Sequence, residues 1–315
     1  MIVDLEQAAR HWSAPPKMAN RTRWWQSPTI VKHINKNFSG VPAMGTDGGD
    51  IELLRSISEG PLRRAVSIGC GNAFHEIKIL QAGIVQHFDL YEIATERIKQ
   101  IEEGAKRAGV IDQITIRTGD PFGLELSAQR EQYDLVYWKD ALHHMISARI
   151  AVEWSDSVLL KGGIFYMNDF VGPTYMQYSD RQLDMAEKIR SALPERYLID
   201  PNDTSKILPN RRSRPDIARL IAIDPTECVD SGNIIQSIMG VFPSAKIIPT
   251  GGIAYMLALS DVLANIDEIA DEALLSTLMV SDDFCTEANE YLYAVAYAKK
   301  YNPNTFNMSH LATND

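Results

Sequence analysis

Two glycines one residue apart, Gly69 and Gly71, followed at intervals by carboxylates and imidazoles, are the residues of this chain best suited to chemistry. The pair lies in Val66-Ser67-Ile68-Gly69-Cys70-Gly71-Asn72-Ala73-Phe74-His75-Glu76. Glycines at a strand-to-helix turn let a ligand approach the main chain closely. The third glycine of a dinucleotide fingerprint would fall at Phe74, whose ring is expected to fill the space where helix and strand pack and a pyrophosphate sits. No Gly-Lys-Ser/Thr follows, which excludes a P-loop. The expected ligand is a nucleoside without paired phosphates.

S-adenosylmethionine meets that description. Glu92 closes the run His87-Phe88-Asp89-Leu90-Tyr91, and a carboxylate there can accept both ribose hydroxyls, with Ile93 beside it. Nicotinamide sites share this feature. Asp120, in Thr118-Gly119-Asp120-Pro121-Phe122, can accept from an adenine amino group, with Pro121 and Phe122 against the ring. The plain alternative is a turn-forming aspartate before proline. Cys70 and Lys139 complete the expected cofactor lining.

The elements that must position these residues are short apolar runs alternating with helical stretches from residue 63 onward. Candidate strands are 65–68, 87–91, 114–117, 135–138 and 164–168. Their spacing suits βαβ units with right-handed crossovers, and hence a parallel sheet with helices on both faces. Ile98, Ile101, Ala105 and Ala108 recur at helical spacing between the second and third strands. Leu159 to Ile164 reads as a helix end, a glycine turn and a fifth strand. Residues 173–243 break the rhythm with helical candidates at 177–192, 216–223 and 231–242, and read as a helical insertion serving as a substrate lid. Residues 246–249 and 291–298 read as two last strands around helical material. Residues 1–60 read as a helical cap segment outside the core. Its helix begins after a Ser27 cap with Pro28 in the first turn, and residues 45–50 read as a loop. The division expected is 1–60 cap, 61–172 with 244–300 cofactor-binding domain, 173–243 insertion, and 301–315 loose tail.

The order of these segments resembles the class I S-adenosylmethionine-dependent methyltransferase family, of the bacterial small-molecule type, over roughly residues 63–170. The resemblance implies a Rossmann-like α/β fold with a seven-stranded, mostly parallel sheet whose last strand is antiparallel. It also implies that Gly69 and Gly71 line the methionine part of the cofactor, Glu92 the ribose and Asp120 the adenine. Ser67 stands where that family often has an acidic residue and Ala73 where its loop has a third glycine. The stretch between the last two strands exceeds the usual hairpin.

His143 and His144, in Lys139-Asp140-Ala141-Leu142-His143-His144, sit where the family often has histidines. With Asp169 after the fifth strand they are candidates to take an acceptor's proton, set against a packed structural role for either ring. Trp25, Asp140, Tyr175, Tyr178 and Arg214 are candidate substrate contacts. Against these stand plainer readings: Trp24 and Trp25 as anchors of the first helix, and Arg211, Arg212 and Arg214 as a solvated loop rather than an anion clamp. The spacing gives no sign of a metal site.

A net charge of −10 disfavours wrapping nucleic acid. Three distant cysteines argue against zinc fingers and disulfide frameworks and for reduced, intracellular thiols. No leader segment and no run of about 18 apolar residues is visible, so a soluble cytoplasmic protein is expected, with homo-oligomerisation left open. The function expected is methyl transfer to a small or medium acceptor in a natural-product or sugar pathway, O-methylation ahead of N-methylation. A nicotinamide-dependent oxidoreductase and a non-catalytic nucleoside-binding Rossmann protein are the alternatives.

Overall fold

The computed structural model describes residues 5–13, 21–119, 122 and 131–301. Seven strands form one sheet: β1 (Ala65–Ile68), β2 (Phe88–Tyr91), β3 (Ile114–Arg117), β4 (Tyr133–Lys139), β5 (Leu159–Phe170), β6 (Lys246–Gly251) and β7 (Tyr293–Lys299). Their order is β3-β2-β1-β4-β5-β7-β6. β1 to β5 pair in parallel, and β7 runs antiparallel to both β5 and β6. The expected seven-stranded, mostly parallel sheet is thus present, antiparallel last strand included. The order reverses between β1 and β4, so a crevice opens at their carboxyl ends.

Both faces of the sheet are covered, and β4 shows how one strand serves two cores. Leu135 and Tyr137 enter the cluster on one face, Val136 and Trp138 the other, as the two-residue period of a strand requires. The second face is covered by α6 (Ala148–Val158) and α9 (Ile234–Val241). The first is covered by α4 (Phe74–Gln81) and α5 (Thr95–Ala108), where Ile101 and Ala105 are buried as their spacing predicts.

Two expectations about organisation need correction. Residues 28–57 are not a lead-in outside the core. α2 (Pro28–Ser39) and α3 (Gly48–Ile57) bury Ile30, Ile34, Phe38, Leu53 and Leu54 in the main cluster. The i, i+4, i+8 stripe of α2 supplies the apolar cover that the sheet needs there, and α3 takes in Gly48 to Asp50 from the expected loop. The α2 start is as read: Ser27 Oγ accepts from Ile30 N at 3.2 Å, with Pro28 in the first turn. At the other end, α9 belongs to the sandwich rather than to an insertion. What remains between β5 and α9 is α7 (Asp180–Ser191), a small hairpin of Ile199–Asp200 with Asp203–Ile207, and α8 (Ile217–Ile223). α1 (Leu5–Ser13) lies upstream of α2 and α10 (Glu272–Glu287) between β6 and β7. Lys161 to Gly163 fall inside β5 at a register shift instead of in a turn before it.

The arginine run is internal structure. Arg211 pairs with Asp184 and Glu187, and Arg214 donates to Tyr178 O and Asp180. Arg212 meets Asp261, which also pairs with the fully buried Arg190 at 2.7 Å. Arg214 therefore ties its loop to α7, which corrects its reading as a substrate contact. Among the described residues no helix is long and apolar enough to cross a membrane.

Candidate active site

The first wall of the crevice follows β1. Gly69 and Gly71 both adopt left-handed φ, +64° and +59°, where a side chain would strain the backbone. A Cβ on Gly69 would press on Ala141 Cβ at 3.3 Å, whereas one on Gly71 would meet nothing within 4 Å. Gly71 therefore faces open space. Its N–H donates to Glu92 Oε2 at 2.9 Å, and Glu92 Oε1 accepts from Ile93 N and Ala94 N at 2.8 and 2.7 Å. Burial pushes the Glu92 carboxyl above its usual range despite these three donors. Two oxygens carry about four lone-pair positions, so Glu92 retains capacity for a further donor. Ile93 beside it is exposed. An open groove of about 370 Å³ lies there, lined by Ala9, Arg10 and Ser13 of α1 with Ile93 and Thr95. That volume is within the range of small-ligand clefts.

Phe74 does not fill the gap between β1 and α4. It is 47% exposed, edge-on to His75, with Lys78 Nζ 5.8 Å from its ring centroid. As the first helical residue it projects outward, and the small side chain buried at this turn is Ala73. Contrary to expectation, the Phe74 ring therefore does not exclude a pyrophosphate from this turn. Asp120 and Pro121 lie outside the described residues. Phe122 packs edge-on against Trp154 at 5.6 Å. Cys70 Sγ lies 3.7 Å from Tyr91 O, with its thiol pushed well up by burial.

The missing acid of β1 is replaced from the helix. Ser67 Oγ donates to Glu76 Oε1 at 2.6 Å, while Glu76 Oε2 has no partner among the described residues. Burial raises the Glu76 carboxyl from 4.5 to about 7. A carboxyl whose folded value lies above its unfolded one contributes stability below about pH 4.5 and loses it as pH rises through 7. The linkage is about 1.4 kcal/mol per unit, hence on the order of 3 kcal/mol across that window. Glu76→Gln should flatten this dependence and raise stability at pH 8. Denaturant titrations of both proteins at pH 5 and pH 8 check it, and parallel losses of stability in the two would refute it.

The second wall follows β4 and β5. Asp169 is fully buried and accepts four hydrogen bonds: Ala141 N (2.9 Å) and Leu142 N (2.6 Å) at Oδ2, Phe170 N (2.7 Å) and His143 Nδ1 (2.5 Å) at Oδ1. Sealed in this way, it is not exposed to take an acceptor's proton as expected. It holds the loop and the His143 ring, leaving Nε2 of that ring free. Burial opposes charge on His143, but the Asp169 carboxylate outweighs it and carries the ring to about 9.

His144 is set differently. Thr226 Oγ1 donates to Asp224 Oδ1 at 2.6 Å, so the 3.0 Å bond between His144 Nδ1 and Thr226 Oγ1 has the ring N–H as donor. Nε2 of His144 is then the free lone pair. Burial and the neighbouring His143, 4.0 Å away ring to ring, push it down to about 4. Trp12 of α1 meets the His144 ring edge-on at 5.2 Å, and Gln7 Nε2 donates to Ala222 O at 2.9 Å. α1 thus reaches both the groove beside Ile93 and α8.

Between the walls, Asp140 is exposed in a left-handed turn (φ +48°). Lys139 is buried, 3.5 Å from Asp50 Oδ2 and 3.9 Å from Asp140 Oδ2. Lys139 lines a small, partly open cavity of about 10 Å³ with Trp24, Asn168, Thr250, Tyr255 and Tyr293, room for about one water. Trp24, not Trp25, reaches this cavity; Trp25 is 49% exposed under Arg23. Tyr178 is buried with its hydroxyl 3.6 Å from Met256 Sδ, whereas Tyr175 N donates to Cys228 O at 2.7 Å.

Asp224, Thr226 and Glu227, which carry the far side of the histidine pair, had no signal in the sequence beyond a polar stretch after α8. They lie about 80 positions from His143, and only the folded loop brings them there.

Residues 63–206 match the family profile described as a methyltransferase domain. The chain is 28% identical over 114 residues to the 27-O-demethylrifamycin SV methyltransferase of Amycolatopsis mediterranei (strain S699), which covers 35% of this chain and 41% of that protein. The chain therefore spans less than half the length of that relative. The solved geranyl diphosphate C-methyltransferase of Streptomyces coelicolor A3(2) superposes with a TM-score of 0.51 at 10% identity, covering 94% of this chain and 97% of that one. At that identity the likeness is one of fold. The match over residues 63–206 and the shared fold make this stretch similar to a methyltransferase domain, in keeping with the resemblance read in the sequence.

Proposed function

We propose that this protein transfers a methyl group from S-adenosylmethionine to a small or medium-sized acceptor, with an oxygen acceptor favoured and nitrogen next, in a natural-product or sugar pathway. The observation that carries the reading is Glu92. It is buried at the tip of β2 and bonded to the amide of Gly71, which itself opens onto free space. That arrangement suits a ribose laid across the β1 and β2 tips, with the nucleoside continuing into the groove beside Ile93 and α1.

The cofactor, when bound, supplies a methyl group on a sulfonium, already activated for displacement. What the chain adds is alignment and exclusion of water. The α7–α8 region would serve as the lid over the crevice, with α1 reaching α8 through Gln7. The free Nε2 positions of His143 and His144 are where an acceptor O–H or N–H is met. Asp169 acts through His143 as a positioning residue rather than as the base itself.

Glu92→Gln should weaken S-adenosylmethionine binding by about 10- to 100-fold, the range for losing a charged hydrogen bond partner. Calorimetry with S-adenosylmethionine and with a nicotinamide dinucleotide tests the reading against the oxidoreductase alternative, which shares Glu92. Binding of the dinucleotide alone would overturn it. Release of S-adenosylhomocysteine across hydroxyl and amine acceptors then separates an enzyme from a silent nucleoside-binding protein and chooses oxygen or nitrogen.

A further inference from the structure

We propose that the loop pair at 143–144 and 224–228 forms a binding site for a divalent first-row transition metal ion, of the zinc class. Two overlapping groups carry it. His143, Glu227 and Cys228 place one ligand atom each within 4.8 Å of one another, and so do His144, Asp224 and Glu227, with Glu227 common to both. Imidazole, carboxylate and thiol together are the donor set of zinc and its neighbours rather than of magnesium or calcium, which take oxygen.

The surroundings point the same way. Metal-bound histidines characteristically give their other ring nitrogen to a carboxylate or a similar acceptor. Both rings are held in that manner here, His143 by Asp169 and His144 by Thr226 with Asp224 behind it. Both keep Nε2 available. Asp224 is only 3% exposed, yet among the described residues its Oδ2 has no hydrogen-bond partner, and it lies 3.7 Å from His144 Nδ1. A buried carboxylate oxygen without a donor is costly unless a cation meets it. Asp169, Asp224 and Glu227 together bring three carboxylates to two imidazoles, and a divalent ion balances that excess.

The ion's use in catalysis rests on the proposed methyl transfer, whereas its binding does not. A metal there would bind an acceptor oxygen and lower its pKa. An ion held at Nε2 would occupy the lone pair that otherwise takes a proton, so the acceptor's proton would pass to solvent water rather than to either ring.

The test uses the full chain, stripped with chelator and titrated with Co²⁺. Visible d–d absorption should saturate near one ion per chain and be bleached by Zn²⁺ but not by Mg²⁺. Glu227→Gln, at a partly exposed position, and Asp224→Asn should each weaken Co²⁺ binding by at least about 10- to 100-fold, with circular dichroism unchanged for Glu227→Gln. No saturable Co²⁺ signal, displacement by Mg²⁺, or Co²⁺ affinity untouched by Glu227→Gln would overturn the proposal. Calorimetry of the stripped chain with S-adenosylmethionine separates the two readings. Cofactor binding without Co²⁺ binding refutes the metal site alone, and Co²⁺ binding without cofactor binding supports it while refuting methyl transfer.

Discussion

His144→Ala should lower turnover by about 10²–10⁴-fold while leaving the affinity for S-adenosylmethionine nearly unchanged. The size of the effect follows from how the ring is held. Its Nδ1–H is committed to Thr226, whose own proton is committed to Asp224. The ring is also flanked by His143 at 4.0 Å and Trp12 at 5.2 Å. Only Nε2 remains for chemistry, in one tautomer and one orientation. Whether that lone pair takes a proton or holds a metal ion, its removal strikes the step at the acceptor and not the nucleoside contacts at Gly71 and Glu92. Thr226→Val keeps the ring but frees it, and about 10- to 100-fold should be lost in kcat with little change in KM. Single-turnover rates measured beside calorimetric cofactor affinity check both. Full turnover by His144→Ala would remove the ring from the reaction, and lost cofactor affinity would mean that it serves the fold.

What was legible in the chain and what was not follows from the range of the interactions. Gly69, Gly71 and Glu92 announce themselves because a strand, a bare turn and a strand-tip carboxylate are local patterns, and the fold places them on one crevice. The pairing of His143 with Asp169 joins two neighbouring strand ends, so parallel β4 and β5 made it foreseeable that they meet, though not that Asp169 would be sealed beneath the loop. The direction of Phe74 is not legible, because spacing alone does not say which way the first residue of a helix points. Glu76 had a readable signal, an acid at the third position of α4, yet its role appears only when α4 packs against Ser67. Asp224 and Glu227 had none, since their partners lie about 80 residues away. Nor did the helices of 28–57 reveal their place in the core, because an amphipathic stripe shows that a face is buried but not against what.

Asp50→Ala should destabilise the protein by about 3–5 kcal/mol, the range for breaking a buried charged pair, and lower its melting temperature by roughly 10 °C. Asp50 is fully buried on α3. It accepts from Tyr137 OH at 2.9 Å, from Tyr166 OH and Asn168 Nδ2 at 2.7 Å, and stands 3.5 Å from Lys139 Nζ. Alanine would strand two hydroxyls, an amide and an ammonium that the carboxylate now holds together. Burial pulls the Lys139 ammonium down, but Asp50, Asp140 and Asp169 together keep it above its ordinary value; without Asp50 it loses the nearest of them. Lys139→Met should therefore recover part of the loss in an Asp50→Asn background, a coupling that a double-mutant cycle reads directly. The consequence reaches the crevice, since Lys139 ends β4 just before the loop of His143 and His144, and Asn168 immediately precedes Asp169 in β5. Loosening α3 should thus cost turnover as well as stability. A loss below about 1 kcal/mol, typical of surface pairs, would show that the polar cluster beneath the sheet end is not what fixes the site above it.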